Sequence, residues 1–96
     1  MENIGEIKSK ISGIRNTLIA KYHLKNIAIF GSFARNEQNE SSDIDIMVEF
    51  SEPVGVEFID LANELERILQ RRVDLVSKNG IKEKYYKVIQ NELSYV

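Results

Sequence analysis

Apolar residues recur every three or four positions in three parts of the chain, a spacing that places them on one face of an α-helix. The first stripe runs from Ile4 to Tyr22 and predicts a single amphipathic helix, in spite of Gly5 and Gly13 within it. The second stripe predicts a helix over residues 56–70. We expect both stripes to pack into the core.

A third helical stripe and three strands complete the pattern. Residues 81–93 predict a final helix, and residues 26–30 predict a buried strand. Acidic and apolar residues alternate over residues 43–46, and Ile44, Ile46 and Val48 share one side, which predicts a strand with one buried face. Residues 73–76 form a second short strand that is interrupted only by Asp74. The alternating order of helices and strands predicts an α/β protein.

The first candidate for chemistry is Gly31-Ser32, where the first predicted strand ends and a predicted helix begins. A glycine followed by a small hydroxyl residue lets the backbone approach a phosphate, and the free N–H groups of a first helical turn point at the anion. Taken alone, such a pair is more often a helix cap. The acidic strand that follows it within a short stretch favours a phosphate site.

Two aspartates follow this turn. Asp43 and Asp45 are two residues apart in a predicted strand, so both carboxylates face the same side. Alone, this pair is more often solvated, but two like charges on one face repel and favour a compensating cation such as Mg²⁺. Asp74 joins them if its strand is the neighbour of theirs in matching register; otherwise it lies on a solvated strand edge.

These residues resemble the signature of the minimal nucleotidyltransferases, small members of the polymerase β-like superfamily. The matching segments are Gly31-Ser32-Phe33-Ala34-Arg35, Ser42-Asp43-Ile44-Asp45-Ile46 and Arg72-Val73-Asp74-Leu75-Val76. The resemblance implies a small mixed β-sheet flanked by helices, in the α/β (α+β) class. In one place the sequence departs from the pattern, because Asn36 stands where many relatives carry a glycine.

The resemblance also implies roles for single residues. Asp43, Asp45 and Asp74 are expected to be catalytic and to hold two Mg²⁺ ions, with Asp74 accepting the proton of the acceptor hydroxyl. The nucleotide-binding candidates are Gly31, Ser32, Arg35 and Ser42. Two alternatives stay open for Arg35, which either contacts the triphosphate of ATP or another nucleotide, or pairs with an acid such as Glu49.

Length and composition limit the number of domains and the kinds of partner that we expect. Ninety-six residues with 43% hydrophobic content suffice for one modest core, so we expect a single domain over residues 1–96. The sequence has no cysteine and no apolar stretch near the roughly 20 residues of a membrane helix. A net charge of −2 argues against strong nucleic-acid binding. We expect a cytoplasmic protein.

Other polar residues carry weaker expectations. Arg71 and Arg72 follow a helix, where a solvated helix end is the favoured interpretation. No catalytic role is expected for the lone His23. Tyrosines such as Tyr85 either pack or face a partner, and packing is the commoner role at helical spacing.

Two hypotheses for function remain open. The first is an enzyme that transfers AMP to a hydroxyl of a partner protein. The resemblance implies that the partner is a helical HEPN ribonuclease toxin, modified on tyrosine, and that this chain is its antitoxin. The second is a binding module that neutralises its partner by occlusion. Transfer to a small molecule is a further alternative, which the small size of the chain disfavours.

Overall fold

The computed structural model describes residues 2–96, which form helices and one four-stranded sheet. The elements in chain order are α1 (Ile4–Ser12), α2 (Arg15–Tyr22), β1 (Leu24–Phe30), β2 (Ile44–Phe50), α3 (Glu57–Leu69), β3 (Val73–Ser77), α4 (Glu83–Ile89), a 3₁₀ turn (Gln90–Glu92) and β4 (Ser94–Tyr95). The strand order is β3-β2-β1-β4. β1 is antiparallel to both β2 and β4, and β2 is parallel to β3, so the sheet is mixed as expected.

The two faces of the sheet are covered unequally. Alternate side chains of β1 and β2 pack with α1, α2 and α3 into the main core, whose fully buried members include Ile7, Leu18, Ile29, Ile46 and Leu65. On the other face, α4 covers a smaller cluster formed by Phe30, Met47 and Ile89. Because the parallel connection from β2 to β3 requires a crossover, α3 lies on the main-core side between them. α4 does not cover all of this face, because Asp45 is partly exposed and Asp74 is exposed on it.

The N-terminal segment consists of two helices, so the prediction of one continuous helix was wrong. α1 ends at Ser12, and the N–H of the following Gly13 donates to the carbonyl oxygens of Ser9 and Ile11. The next residue, Ile14, has φ −124° and ψ 7°, which is outside helical geometry. Glycine weakens a helix interior by about 1 kcal/mol relative to alanine, so the break falls where the helix is weakest. The apolar spacing persists because both helices bury the same side.

The final helix is also shorter than predicted. α4 ends at Ile89, and Leu93, which was assigned to that helix, has extended geometry with φ −66° and ψ 124°. The chain then adds the two-residue strand β4, in which Tyr95 pairs with Ala28. Such a short strand has no alternation to detect, and its position is set by the edge of β1.

All helices are short, and the longest, α3, has 13 residues. Within residues 2–96, no helix has the length and apolar character that crossing a membrane requires.

Candidate active site

The turn after β1 depends on a glycine. Gly31 has φ +74°, a left-handed conformation that other residues rarely adopt. A Cβ atom built at this position would collide with the carboxylate of Asp45 on the neighbouring strand. Glycine is therefore required twice, by the backbone conformation and by the close approach of Asp45. The turn and the acidic strand are thereby held in contact.

Residues 31–36 form consecutive turns and not the regular helix that was expected after Ser32. The N–H of Arg35 donates to the carbonyl of Gly31 at 3.1 Å, and that of Glu37 donates to the carbonyl of Ser32 at 2.9 Å. Asn36 stops helical propagation because its φ is +57°, in the left-handed region that asparagine tolerates and glycine prefers. Glycine adopts this conformation without steric cost, which is consistent with the glycine that the resemblance gives at this position.

The same turn leaves backbone donors available. Phe33 is buried with 1% of its surface exposed, which anchors the turn in the core. Within residues 2–96, no protein acceptor takes the N–H groups of Ser32, Phe33 or Ala34, or the hydroxyl proton of Ser32. Successive unpaired N–H groups in a turn form an anion-binding concavity. The turn thus has the chemistry of a phosphate site.

Asp45 and Asp74 meet on the face that α4 leaves partly open. They are direct partners in the parallel register of β2 and β3, and Ile44 and Ile46 point the opposite way into the core. Burial raises the pKa of Asp45 to about 6, assisted by the charge and hydrogen-bonding proximity of Asp74 and by the charge of Asp43. Arg35 acts in the opposite direction on this pKa. Two facing carboxylates of this kind are hard oxygen ligands that fit a divalent cation.

Asp43 does not complete this pair. It lies just before β2, its side chain is 48% exposed, and its Oδ1 is 3.5 Å from Nε of Arg72. Among the residues that the structure describes, no group of three acidic or histidine side chains is arranged to hold a metal ion. The three aspartates therefore share one edge of the sheet, but only Asp45 and Asp74 are in contact. Rotation of Asp43 away from Arg72 would be needed for a third carboxylate to join.

Arg35 is held by acidic side chains. Its Nε donates to Glu37 at 2.9 Å, and its Nη1 contacts both carboxylate oxygens of Glu92 at 3.1 and 2.9 Å. Glu49, the partner suggested from sequence, instead accepts a hydrogen bond from Asn26 at 3.1 Å. Sequence analysis missed Glu92 altogether, because nothing near it in the chain indicates that it reaches the phosphate turn.

Arg71 and Ser42 brace the loop that precedes Asp43. Nη1 of Arg71 donates to the carbonyls of Glu40 and Ser42 at 3.1 and 3.2 Å, so Arg71 is not the solvated helix end that was expected. Its guanidinium also lies 5.4 Å from the ring centre of Phe33. The Ser42 hydroxyl accepts from the N–H of Asn39 at 2.9 Å, which places it within the loop. His23 is the C-cap of α2, and its Nε2 lies 3.4 Å from a carboxylate oxygen of Glu52.

A comparison with protein families settles the classification of this chain. The profile of the family described as nucleotidyltransferase domain matches residues 11–96, which include the glycine turn and all three aspartates. The chain belongs to the nucleotidyltransferase family. This nucleotidyltransferase thus has the fold and the enzyme class that the sequence predicted.

Curated relatives agree with this assignment over the full length. The nucleotidyltransferase is 49% identical over 98 residues to "Putative protein adenylyltransferase MJ0128" of Methanocaldococcus jannaschii, with 100% of both chains covered. It is 38% identical over 97 residues to the protein adenylyltransferase MntA of Thermococcus cleftensis, covering 100% of this chain and 98% of the relative.

Solved structures share the fold. A minimal nucleotidyltransferase superposes with a TM-score of 0.80 at 26% identity, covering 99% of this chain and 95% of the other. A toxin-antitoxin structure with AMP-PNP matches with a TM-score of 0.76 at 25% identity, covering 92% of this chain and 70% of that chain. The relatives and these structures together support a nucleotidyltransferase of the antitoxin type.

Proposed function

We propose that this nucleotidyltransferase is a Mg²⁺-dependent protein adenylyltransferase that transfers AMP from ATP to a tyrosine of a helical HEPN toxin, and so acts as its antitoxin. The observation that carries the proposal is the contact between Asp45 and Asp74 beside the Gly31 turn. The adenylyltransferase names of the relatives and the toxin-antitoxin structure with AMP-PNP support the donor and the setting.

The turn provides the phosphate site. The unpaired N–H groups that begin at Ser32, together with its hydroxyl, would bind the terminal phosphates and present the α-phosphorus to the carboxylate edge. Asp45 would hold Mg²⁺ with the triphosphate, joined by Asp43 once its carboxylate turns away from Arg72, and Asp74 would share a second ion. When bound, these ions neutralise the triphosphate charge and lower the pKa of the acceptor hydroxyl.

Asp74 is suited to the acceptor side of the reaction. It is exposed on β3, the edge strand of the sheet, so a hydroxyl can approach it from solvent. The acceptor oxygen forms a new bond to the α-phosphorus, the bond from this phosphorus to pyrophosphate breaks, and the hydroxyl proton passes to Asp74. This open edge does not itself hold an acceptor in place. Docking of a partner protein would raise the effective concentration of the acceptor hydroxyl there.

A partner has an apolar surface to contact near this edge. On α4, Val88 is 72% exposed and Tyr85 is 45% exposed. Burial and the charges of Asp45 and Asp74 raise the pKa of Tyr85, which places its hydroxyl in the field of the carboxylates. An exposed apolar surface of this kind also fits the second candidate function, in which the chain would neutralise its partner by occlusion alone.

The experiment that separates the two functions is modification of the partner. The purified chain is incubated with ATP, Mg²⁺ and the proposed HEPN partner, and the mass of the intact partner is measured by mass spectrometry. We expect the added mass of one or more AMP units on tyrosine, and neutralisation that persists after the two proteins are separated. Neutralisation that is lost on separation, with no added mass, would support occlusion.

Variants assign the chemistry to individual carboxylates. Asp74→Asn should still bind ATP with Mg²⁺, as measured by calorimetry, but should transfer AMP slower by a factor on the order of 10² or more, because the positioned base is lost. Asp60→Asn, in the first turn of α3, is the matched control and should transfer at the wild-type rate, because α3 packs on the face of the sheet opposite to the carboxylates. Loss of nucleotide binding in Asp74→Asn would instead assign Asp74 to the triphosphate.

A further inference from the structure

Glu92, the last residue of the 3₁₀ turn before β4, contacts the Gly31 turn through its side chain. β4 pairs with β1 through Ala28 with Tyr95 and Ile29 with Ser94, and continuation of this register places Glu92 opposite Gly31. The backbone ladder stops before that point. Instead, the carboxylate of Glu92 accepts the N–H of Gly31 at 2.9 Å. Glu92 thus takes the position of the next ladder partner.

The same carboxylate restrains Arg35. Both of its oxygens contact Nη1 of Arg35, and the Glu92 side chain is only 22% exposed, compared with 65% for Glu37, the other acid on this guanidinium. Pairs sheltered from solvent are screened less than exposed ones. Glu92 is therefore the more sheltered of the two acids that hold Arg35, and it is the one that also contacts the Gly31 turn.

Asp45 is the group that Arg35 would otherwise attract. The guanidinium charge already reaches Asp45, whose carboxylate packs against Gly31 at the end of the same turn. We propose that Glu92 is a positioning residue, which holds the Gly31 turn and prevents Arg35 from pairing with Asp45, so that Asp45 stays available to a divalent cation. This inference rests on the proposed function of Asp45 as a metal ligand.

Glu92 does not occupy the phosphate donors themselves. It takes the N–H of Gly31 on the β4 side of the sheet, whereas the N–H groups of Ser32, Phe33 and Ala34 remain without a protein acceptor in the described part of the chain. An acid that blocked the triphosphate would have to bind those groups. The geometry therefore favours support of the turn over inhibition.

Metal binding without turnover tests this role. Mn²⁺ is titrated into the nucleotide-free protein, and bound metal is measured by electron paramagnetic resonance of the free ion. Removing a residue that supports a metal ligand typically weakens affinity 10- to 100-fold, so we expect Glu92→Gln to raise the Mn²⁺ dissociation constant by about tenfold or more. Glu37→Gln, which removes the exposed acid on Arg35 and leaves Gly31 untouched, should change it by less than about twofold.

A second substitution identifies the cause. If a released Arg35 competes for Asp45, the double variant Glu92→Gln/Arg35→Gln should recover most of the Mn²⁺ affinity. An unchanged dissociation constant in Glu92→Gln, or no recovery in the double variant, would overturn the proposal. Circular dichroism establishes that each variant folds. If Glu92→Gln does not fold, Arg35→Gln alone decides, because it should bind Mn²⁺ at least as tightly as the wild type and weaker binding contradicts the competition.

The two proposals fail in different ways. If the wild type and Glu92→Gln bind Mn²⁺ equally well, the role of Glu92 is refuted and the proposed function stays in place. Wild-type protein that binds no Mn²⁺, with or without ATP, would refute the metal site of the proposed function and the role of Glu92 with it.

Discussion

Replacement of Asp45 by asparagine should stabilise the metal-free protein. The pKa of Asp45 is raised from 3.8 to about 6, first by burial and then by the neighbouring carboxylates. The folded state therefore binds a proton more tightly than the unfolded state, and the free energy of unfolding falls as the pH rises from about 4 to 6. Asp45→Asn removes the charge that is penalised above this window.

The size of the gain follows from the same shift. One pKa unit corresponds to about 1.4 kcal/mol, so the upper bound at pH 7.5 is about 3 kcal/mol. Asp45 is only partly buried, and solvent screening reduces this figure to about 1–1.5 kcal/mol. For a domain of this size, about 1 kcal/mol raises the Tm by roughly 4–8 °C. At pH 4 the wild-type carboxyl is itself protonated in the folded state, and most of the gain should vanish.

The assay is thermal unfolding followed by circular dichroism in EDTA, at pH 7.5 and at pH 4. Asp60→Asn in the first turn of α3 is the matched control and should give no gain at either pH, since an acid there is favourable to the helix. With Mg²⁺ and ATP the order should reverse at pH 7.5, because ligand linkage stabilises only the wild type strongly. An Asp45→Asn variant that is no more stable than wild type at pH 7.5 in EDTA, or equally stabilised at both pH values, would refute this account of the site.

Two further predictions concern the turn and the core. Gly31→Ala should lower the free energy of unfolding by about 2 kcal/mol or more and abolish AMP transfer, because a Cβ there meets the Asp45 carboxylate at a left-handed φ; retention of both stability and transfer would contradict the close approach. Leu65→Ala should lower the free energy of unfolding by about 2–5 kcal/mol in urea titrations, because this side chain is fully buried. Ile59→Ala, at a side chain that is 61% exposed, is its control and should change stability by less than about 0.5 kcal/mol.

The parts of the fold that could be predicted from sequence are those with a long regular pattern. α3 was expected over residues 56–70 and spans Glu57–Leu69, because 13 residues give several turns of apolar spacing. The alternation that begins at Asp43 likewise predicted β2, and it predicted that the side chains of Asp43 and Asp45 face the same side of the sheet. The neighbouring register of Asp45 and Asp74 was a condition stated from the strands alone, and the structure fulfils it.

The parts that were missed depend on contacts between distant segments. Gly13 interrupts a stripe whose spacing is otherwise helical, and the two helices keep that spacing only because both pack on one sheet face. Arg71 resembles any cation at a helix end until the loop before Asp43 folds against it. Glu92 reaches Gly31 and Arg35 because β4, which follows it in the chain, pairs with β1. That strand has only two residues and is too short to leave a pattern in the sequence.

The bond between Gly31 and Glu92 joins positions 61 residues apart, which makes it among the least local contacts in the protein. Closing a long loop loses more chain entropy than closing a short one, so this bond should form late, after the hairpin of β1 and β2 has brought Gly31 to Asp45. Opening of the C-terminal segment would release it again while the rest of the sheet stays folded. The exchange rate of the Gly31 amide hydrogen is therefore a direct reporter of how often the completed site comes apart, separate from global unfolding.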